Sequence, residues 1–295
     1  MHDHHGIAEG KRVTWAGMLV NVLLTVLKFL GGIYGRSKAL LADAIHSLSD
    51  LLTDILVLIG LHFFDKKEDK NHPYGHGKVE TLSTIGVGAI LLLAAVSIGI
   101  GAVTAIYRGE ATAPHRYTIL IAAISIIAKE VLFQVTIRTG KRIGSEAMTA
   151  NAWHHRSDSW TSAVTLVGVA LASYVPSLRS LDSAAAIVVS LFILKISIDI
   201  LRGSVSKIID TSPSPEFLDS VREEVNGIRG VKSSHDLTGR YYADSIRMEV
   251  HIELDPDMTV RESHEIADSV AQRVKERFPE VTAVLVHVDP FEPDA

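Results

Sequence analysis

The first 210 residues form a series of long apolar runs separated by short polar loops. Thr81–Tyr107 contains no charged residue, and its 27 residues are enough to cross a hydrocarbon core of about 30 Å as a helix. A buried helix of a soluble protein is rarely so long and so apolar. Similar runs predict helices at 12–35, 38–64, 80–108, 116–139, 147–175 and 180–207. We therefore expect an α-helical membrane protein, with a six-helix transmembrane domain at residues 12–210 after a histidine-containing N-terminal segment at residues 1–11.

The pattern changes after residue 210. The segment 211–215 reads Thr-Ser-Pro-Ser-Pro, which ends the sixth helix and begins another. Apolar and polar residues then alternate over 246–254, which predicts a half-buried strand. A helical pattern at 259–278 and a β-branched run at 281–288 follow. The order helix, strand, strand, helix, strand predicts an α+β ferredoxin-like (αββαβ) domain at residues 211–295.

Charge divides the chain at the same place. The whole chain has a net charge of −5, but residues 211–295 hold nine basic against 18 acidic residues. An acidic domain is poorly suited to nucleic acid, so we expect no nucleic-acid partner. In the short loops of the first 210 residues, nine basic residues lie on the side of the termini and five on the other. The positive-inside rule then places both termini in the cytoplasm, and we expect an integral protein of the bacterial inner membrane.

The chain contains no cysteine and 14 histidines. Disulfide frameworks, thiolate zinc sites and cysteine nucleophiles are therefore excluded, and histidine becomes the main candidate for metal chemistry.

An internal repeat carries the most informative pattern. Residues 42–50 (ADAIHSLSD) and 150–158 (ANAWHHRSD) are identical at five of nine positions, and the alignment matches His46 with His154 and Asp50 with Asp158. Each His-x-x-x-Asp pair has the i, i+4 spacing that places two side chains on one helix face. The two helices run in opposite directions if all six cross the membrane. Helices 1–3 and 4–6 would then be inverted halves around a midplane site.

These four side chains offer two nitrogen and two oxygen donors. Ionisable groups inside a bilayer cost at least about 2.5–3.5 kcal/mol each, so they indicate function. The donor set and its two negative charges suit Zn²⁺, with Co²⁺, Fe²⁺ and Cd²⁺ as competitors. The structural alternative is two separate polar pairs that fasten helices together. Asp43 is expected to be a vestibule or helix-pairing carboxylate, and Lys195 and Asp199 a mutually neutralising i, i+4 pair.

Two further groups have ligand chemistry. In the loop after the second helix, Asp69, His72 and His76 are closely spaced, although a solvated charged loop is the alternative. In the tail, His287 and Asp289 share one strand face by the period of two, and His251 lies on the polar face of its strand. His235 and His264 add two more imidazoles. Each tail residue taken alone also fits an ordinary surface position.

With these residues in view, the chain resembles the cation diffusion facilitators, a family of proton-coupled exporters of divalent metals. The resemblance covers nearly the whole length: six spans, the loop segment His-Pro-Tyr-Gly-His-Gly-Lys at 72–78, both intramembrane pairs and the αββαβ tail. Some magnetosome-associated members share the segment 72–80. A role in handling iron and a location in a magnetosome membrane are therefore further alternatives. At Val288 some relatives carry a polar ligand instead.

The resemblance implies a role for each candidate residue. The implied transport site is formed by His46, Asp50, His154 and Asp158. The histidine form of the first position is associated with zinc, since some members have aspartate there. The implied loop site is Asp69, His72 and His76, and the implied tail sites, near the dimer contact, use His235, His251, His264, His287 and Asp289. Lys78 and Asp210 occupy the positions of the charge pair that joins the two subunits.

The function that we expect is proton-coupled antiport of divalent transition metals out of the cytoplasm, most readily Zn²⁺, by a homodimer whose tail senses metal. Fe²⁺, Mn²⁺, Co²⁺ or Cd²⁺ are alternative substrates. A non-transporting metal sensor or scaffold is an alternative function. A metal-dependent membrane enzyme would need several histidine clusters that converge at the membrane face, or an open coordination position beside a general base. Here the two helix pairs give four ligands without a spare residue.

Overall fold

Six long helices lie in the described part of the first 208 residues. The computed structural model describes residues 4–64, 69–143, 146–242 and 245–292, so residues 1–3 of the N-terminal segment lie outside the described residues. The helices are α1 (His4–Tyr34), α2 (Lys38–Phe64), α3 (Gly77–Tyr107), α4 (Tyr117–Ile143), α5 (Glu146–Tyr174) and α6 (Ser180–Ile208). The ends of α2, α5 and α6 agree with the prediction within about one residue. The helix α1 begins earlier than expected, and α4 ends four residues later.

Four segments of the described residues are long and apolar enough to cross a membrane. They are Arg12–Tyr34, Gly77–Tyr107, Tyr117–Ile143 and Pro176–Ile208. Their large apolar side chains are widely exposed on the outside, as Leu93 and Ile100 of α3 illustrate. A water-soluble protein would bury such a surface, whereas hydrocarbon solvates it. The two remaining helices, α2 and α5, carry the His-x-x-x-Asp pairs.

The tail has the predicted ferredoxin-like order. It contains α7 (Pro215–Asn226), β1 (Ser233–Tyr242), β2 (Ser245–Leu254), α8 (Val260–Arg277) and β3 (Val281–Pro290). The sheet order is β1-β2-β3, in which β1 and β2 are antiparallel and β2 and β3 are parallel. A parallel neighbour requires a crossover, and α8 supplies it.

The sheet buries one face against both tail helices. The alternating residues Met248, Val250 and Ile252 of β2 are each at most 2% exposed, as the alternation predicts. They belong to one apolar cluster with Val225 of α7 and Val274 of α8. The polar residues of β2 are therefore left on the opposite face, which is free to carry ligands.

Packing divides the chain into two compact units. One comprises Met1–Leu58 and Gly86–Leu201, and the other Ile59–Ile85 and Arg202–Ala295. The intramembrane pairs belong to the first unit, and the loop and tail candidates belong to the second.

Candidate metal sites

The helices α2 and α5 pack side by side in opposite directions. The hydroxyl of Ser162 donates to Asp43 over 3.0 and 3.2 Å. Further along α2, Asp50 lies 3.8 Å from Nε2 of His154. Residue numbers rise along α2 as they fall along α5, which agrees with the prediction that these helices are antiparallel. The repeat therefore brings its two His-x-x-x-Asp pairs to the same level of the helix bundle.

A buried ion pair fixes the contact between α1, α2 and α5. The ammonium of Lys28 lies 2.9 Å from Asp43 and donates to the hydroxyls of Ser47 and Ser162, each over 3.0 Å. The side chains of Lys28 and Asp43 are 1% and 0% exposed. Asp43 is thus a helix-pairing carboxylate, one of the two roles predicted for it.

All four predicted donors line one cavity, and three of them lie close together there. Its volume is about 560 Å³, and its lining includes His46, Asp50, His154 and Asp158. Ligand atoms of His46, Asp50 and Asp158 all lie within 4.8 Å of one another. Nδ1 of His46 and Oδ2 of Asp50 are buried and have no hydrogen-bond partner among the described residues. Buried polar atoms usually have partners, so these two fit a ligand that binds between them.

The fourth donor, His154, lies at the edge of this group. Its side chain is half exposed, and its two ring nitrogens are 3.8 Å from carboxylate oxygens of Asp50 and Asp158. These separations are longer than hydrogen bonds, so His154 is near the carboxylates but is not held by them. A small movement of its ring would complete a set of two nitrogens and two oxygens.

A lysine also reaches this site. Nζ of Lys129, on α4, donates to Oδ2 of Asp158 over 2.7 Å, and both side chains are almost fully buried. The sequence shows Lys129 only as an interruption of an apolar run. Because the contact joins residues 29 positions apart, no local pattern reveals it.

The loop before α3 gathers the second predicted group. Asp69 accepts hydrogen bonds from the backbone N–H groups of Asn71 and His72, over 2.9 and 2.8 Å. Its carboxylate also lies 3.2 Å from a ring nitrogen of His72 and 3.2 Å from one of His76. Partial desolvation raises the pKa of Asp69, but the N–H donations from His72 and Asn71 outweigh it and hold the pKa below its usual value. The ionised carboxylate and two imidazoles form a compact donor group.

This loop is tied to the tail sheet. Arg247 of β2 donates to the backbone carbonyl of Tyr74 over 2.8 Å, and its guanidinium lies 4.0 Å from the ring centroid of Tyr242. The hydroxyl of Tyr242 accepts from the N–H of Gly77, the first residue of α3, over 3.1 Å. The loop donors and the end of the sheet are therefore held together.

Three histidines form a row across the tail sheet. His251 of β2 is the direct neighbour of His235 on β1 and of His287 on β3. The ring centroids are 5.2 Å apart for His235 and His251, and 4.4 Å apart for His251 and His287. Asp289 lies 2.9 Å from His251 and 3.5 Å from His235. These side chains, with Asp236, form two donor groups that share His251.

The last tail candidate, His264, does not belong to either group in the described chain. It lies on α8 with its side chain 74% exposed and pairs with Asp268 over 3.5 Å. Conversely, Asp236 belongs to one of the two groups but was missed from the sequence. It has a positive φ of 45°, and the regular register of β1 and β2 is interrupted between His235 and Thr238. A period-two pattern does not predict such an irregularity.

Lys78 and Asp210 are paired within one chain. The ammonium of Lys78 lies 3.3 Å from Asp210, and both side chains are about half exposed. The exposed pair of Lys195 and Asp199 on α6 also forms, over 2.8 Å, as predicted.

Comparisons with known proteins agree over both parts of the chain. Residues 14–209 match the family model described as the cation efflux transmembrane domain, and residues 213–291 match the cation efflux protein, cytoplasmic domain.

Individual relatives cover almost the whole chain. "Metal tolerance protein C1" of Arabidopsis thaliana is 35% identical over 98% of this chain, which spans 65% of that protein's length. The "Manganese efflux system protein MneP" of Bacillus subtilis is 32% identical over 95% of this chain and 96% of its own length. Among solved structures, a cadmium form of the MamM CTD is 26% identical over 26% of this chain and 98% of that chain, with a TM-score of 0.26.

Proposed function

Because the chain belongs to the cation diffusion facilitator family of membrane transporters, we propose that it exports divalent transition metals from the cytoplasm, with Zn²⁺ as its main substrate. The family consists of transporters of divalent metal cations, not of enzymes. One observation carries the proposal for this chain: donor atoms of His46, Asp50 and Asp158 converge at a cavity among long apolar helices. His154 is the fourth ligand of the proposed transport site.

In this proposal, all six helices of residues 12–210 span the inner membrane and both termini are cytoplasmic. The four donors come from the antiparallel α2 and α5, so the ion binds between the two inverted halves. A relative motion of those halves would expose the same ligands to one side and then to the other, which is alternating access.

Proton coupling follows from the chemistry of the ligands. Imidazole must be neutral and carboxylate ionised to bind a metal, so metal and protons compete for one set of atoms. Unperturbed histidine titrates near pH 6.5, and a more acidic outer solution would therefore favour metal release and proton uptake. Return of the protonated site to the cytoplasmic side would complete antiport.

The substrate assignment rests on the donor set. Two imidazoles and two carboxylates suit Zn²⁺, with Fe²⁺, Co²⁺ and Cd²⁺ as competitors. Mn²⁺ is the second candidate, because a relative of almost equal length is a manganese efflux protein. Carboxylate and water ligands suit Mn²⁺ better than imidazole does, so the two histidines favour zinc.

The remaining donors support regulation by cytoplasmic metal. We assign residues 211–295 to a cytoplasmic domain that senses metal through His235, His251, His287 and Asp289, whereas His264 lies outside both donor groups of the described residues. Asp69, His72 and His76 form a second regulatory site, which the Arg247 contacts tie to the same sheet. In the proposed homodimer, metal bridging two tails would stabilise the transport-competent arrangement, and Lys78 and Asp210 would strengthen the contact between subunits.

Zinc flux into proteoliposomes tests the transport site. Asp158→Ala removes a central ligand and is expected to reduce flux at least about tenfold. Asp199→Ala is the matched control, because it removes an exposed carboxylate of the same bundle outside the cavity. Export by Asp158→Ala at the parental rate would overturn the proposed site. A parental chain that binds zinc without any flux would identify a sensor instead of a transporter.

A further inference from the structure

We propose that Lys129 is an internal competitor of the transported cation. Its ammonium pairs with the carboxylate of Asp158 when the site holds no metal, and an arriving dication must displace the ammonium. This inference rests on the proposed transport function, since it assigns Asp158 to the transport site.

The position of Lys129 supports this role. Its Nζ lies 2.7 Å from Oδ2 of Asp158, and the two side chains are 2% and 6% exposed. Asp158 is at the same time one of the three donors that lie within 4.8 Å of one another. An ammonium ion therefore binds the carboxylate that a metal would bind. Asp158 carries one negative charge, which the ammonium at Oδ2 already offsets. In this proposal the metal takes over that charge, and the lysine contact breaks or lengthens.

The comparison with Lys28 separates this role from plain helix fastening. Among the described residues, Lys28 has three oxygen partners, on Asp43, Ser47 and Ser162, and Asp43 does not belong to the donor group. In the described part of the chain, Lys129 donates one hydrogen bond, to Asp158. Lys28 is thus held in a saturated pocket, whereas Lys129 can leave its partner at the cost of one ion pair.

Charge gives Lys129 a definite effect on transport. With neutral imidazoles, the two carboxylates carry −2, and Lys129 reduces this to −1. A bound dication then leaves the site with an excess positive charge, so Lys129 repels the ion that has displaced it. Such repulsion is strong at short range in a medium of low dielectric. Lys129 therefore weakens metal binding and accelerates release.

The same competition discriminates against monovalent ions. Na⁺ or K⁺ would replace one positive charge at Asp158 with another and gain little, whereas a dication brings twice the charge. Lys129 thus makes entry of a divalent ion favourable relative to the abundant monovalent ions. The ligands themselves would then select among the divalent metals.

Steady-state flux into proteoliposomes, with ZnCl₂ and separately with MnCl₂, tests this inference. Lys129→Met is expected to lower KM at least about tenfold and to lower kcat as well, because the ion binds more tightly and leaves more slowly. Lys129→Arg retains the charge and is expected to keep KM within about threefold of the parental value. Lys28→Met is the matched control, for which the amount of active protein falls but KM does not.

The outcomes separate this inference from the proposed function. If the parental chain transports zinc and Asp158→Ala does not, the proposed transport site is supported. An unchanged or raised KM in Lys129→Met would then overturn the competitor role of Lys129 without affecting the transport site. Lys129→Gln has a side chain of similar length and no charge, and replaces the methionine variant if that one fails to fold. If neither variant folds while Lys28→Met does, Lys129 is required for structure and the inference is wrong.

Discussion

The buried pair of Lys28 and Asp43 leads to a quantitative prediction about the stability of the helix bundle. Asp43→Asn removes the negative charge and leaves an ammonium that is 1% exposed, with only neutral oxygen partners. Removing one member of a buried ion pair costs about 3–5 kcal/mol. Since about 1.4 kcal/mol is a tenfold change, the ratio of folded to unfolded protein should fall by about two to three and a half orders of magnitude.

The double variant tests the reason for this cost. Lys28→Met with Asp43→Leu replaces both charges by apolar side chains of comparable size, and such replacements are often neutral or stabilising. We therefore expect the double variant to recover most of the loss. The measurement is reversible unfolding in detergent micelles, followed by helical circular dichroism. Asp199→Asn is the control, since an exposed pair contributes only about 0–1 kcal/mol. A cost below about 1 kcal/mol for Asp43→Asn, or a double variant as unstable as the single one, would refute the reasoning.

Three further predictions concern selectivity, metal sensing and pH. His46→Asp replaces a nitrogen donor by oxygen and should broaden transport toward cadmium; unchanged zinc-to-cadmium flux ratios would count against histidine as the selector. His251→Ala should remove more bound zinc per chain in calorimetric titrations than His264→Ala, because His251 belongs to both tail groups; equal losses would contradict this. Hydrogen bonds from the Thr259 hydroxyl and backbone N–H lower the pKa of Glu262. The stability that these bonds give the folded tail is therefore complete above the ordinary carboxyl pKa of about 4.3, and it is lost as the pH falls through the lowered pKa. Thr259→Ala should therefore lower the Tm of the tail most near neutral pH, and a difference from the parental Tm that does not shrink in acid would exclude this explanation.

Local patterns predicted the helices and the tail sheet well. A long apolar run is sufficient to define a membrane helix, and the alternation through Met248, Val250 and Ile252 defined the buried face of β2. The i, i+4 spacing placed His46 and Asp50 on one helix face without knowledge of any partner helix. These features depend on neighbours a few positions away, and such neighbours are visible in the sequence.

The contacts that cross between elements could not be predicted in this way. The bond from Lys129 to Asp158 depends on how α4 packs against α5, and an apolar run with one lysine has many possible arrangements. The alignment of His235, His251 and His287 depends on strand register, which a period of two leaves undetermined. The half-exposed position of His154 likewise reflects side-chain packing. The repeat aligns His154 with the buried His46 and therefore does not predict the difference in their exposure.

The row of tail histidines has a mechanical consequence. Each backbone hydrogen bond between adjacent strands contributes only about 0.5–1.5 kcal/mol to stability. An ion coordinated by imidazoles from neighbouring strands would cross-link those strands. Sliding one strand past another would then require breaking coordination bonds. The tail would then be stiffer with metal bound than without it, and its rigidity would itself report the concentration of metal around it.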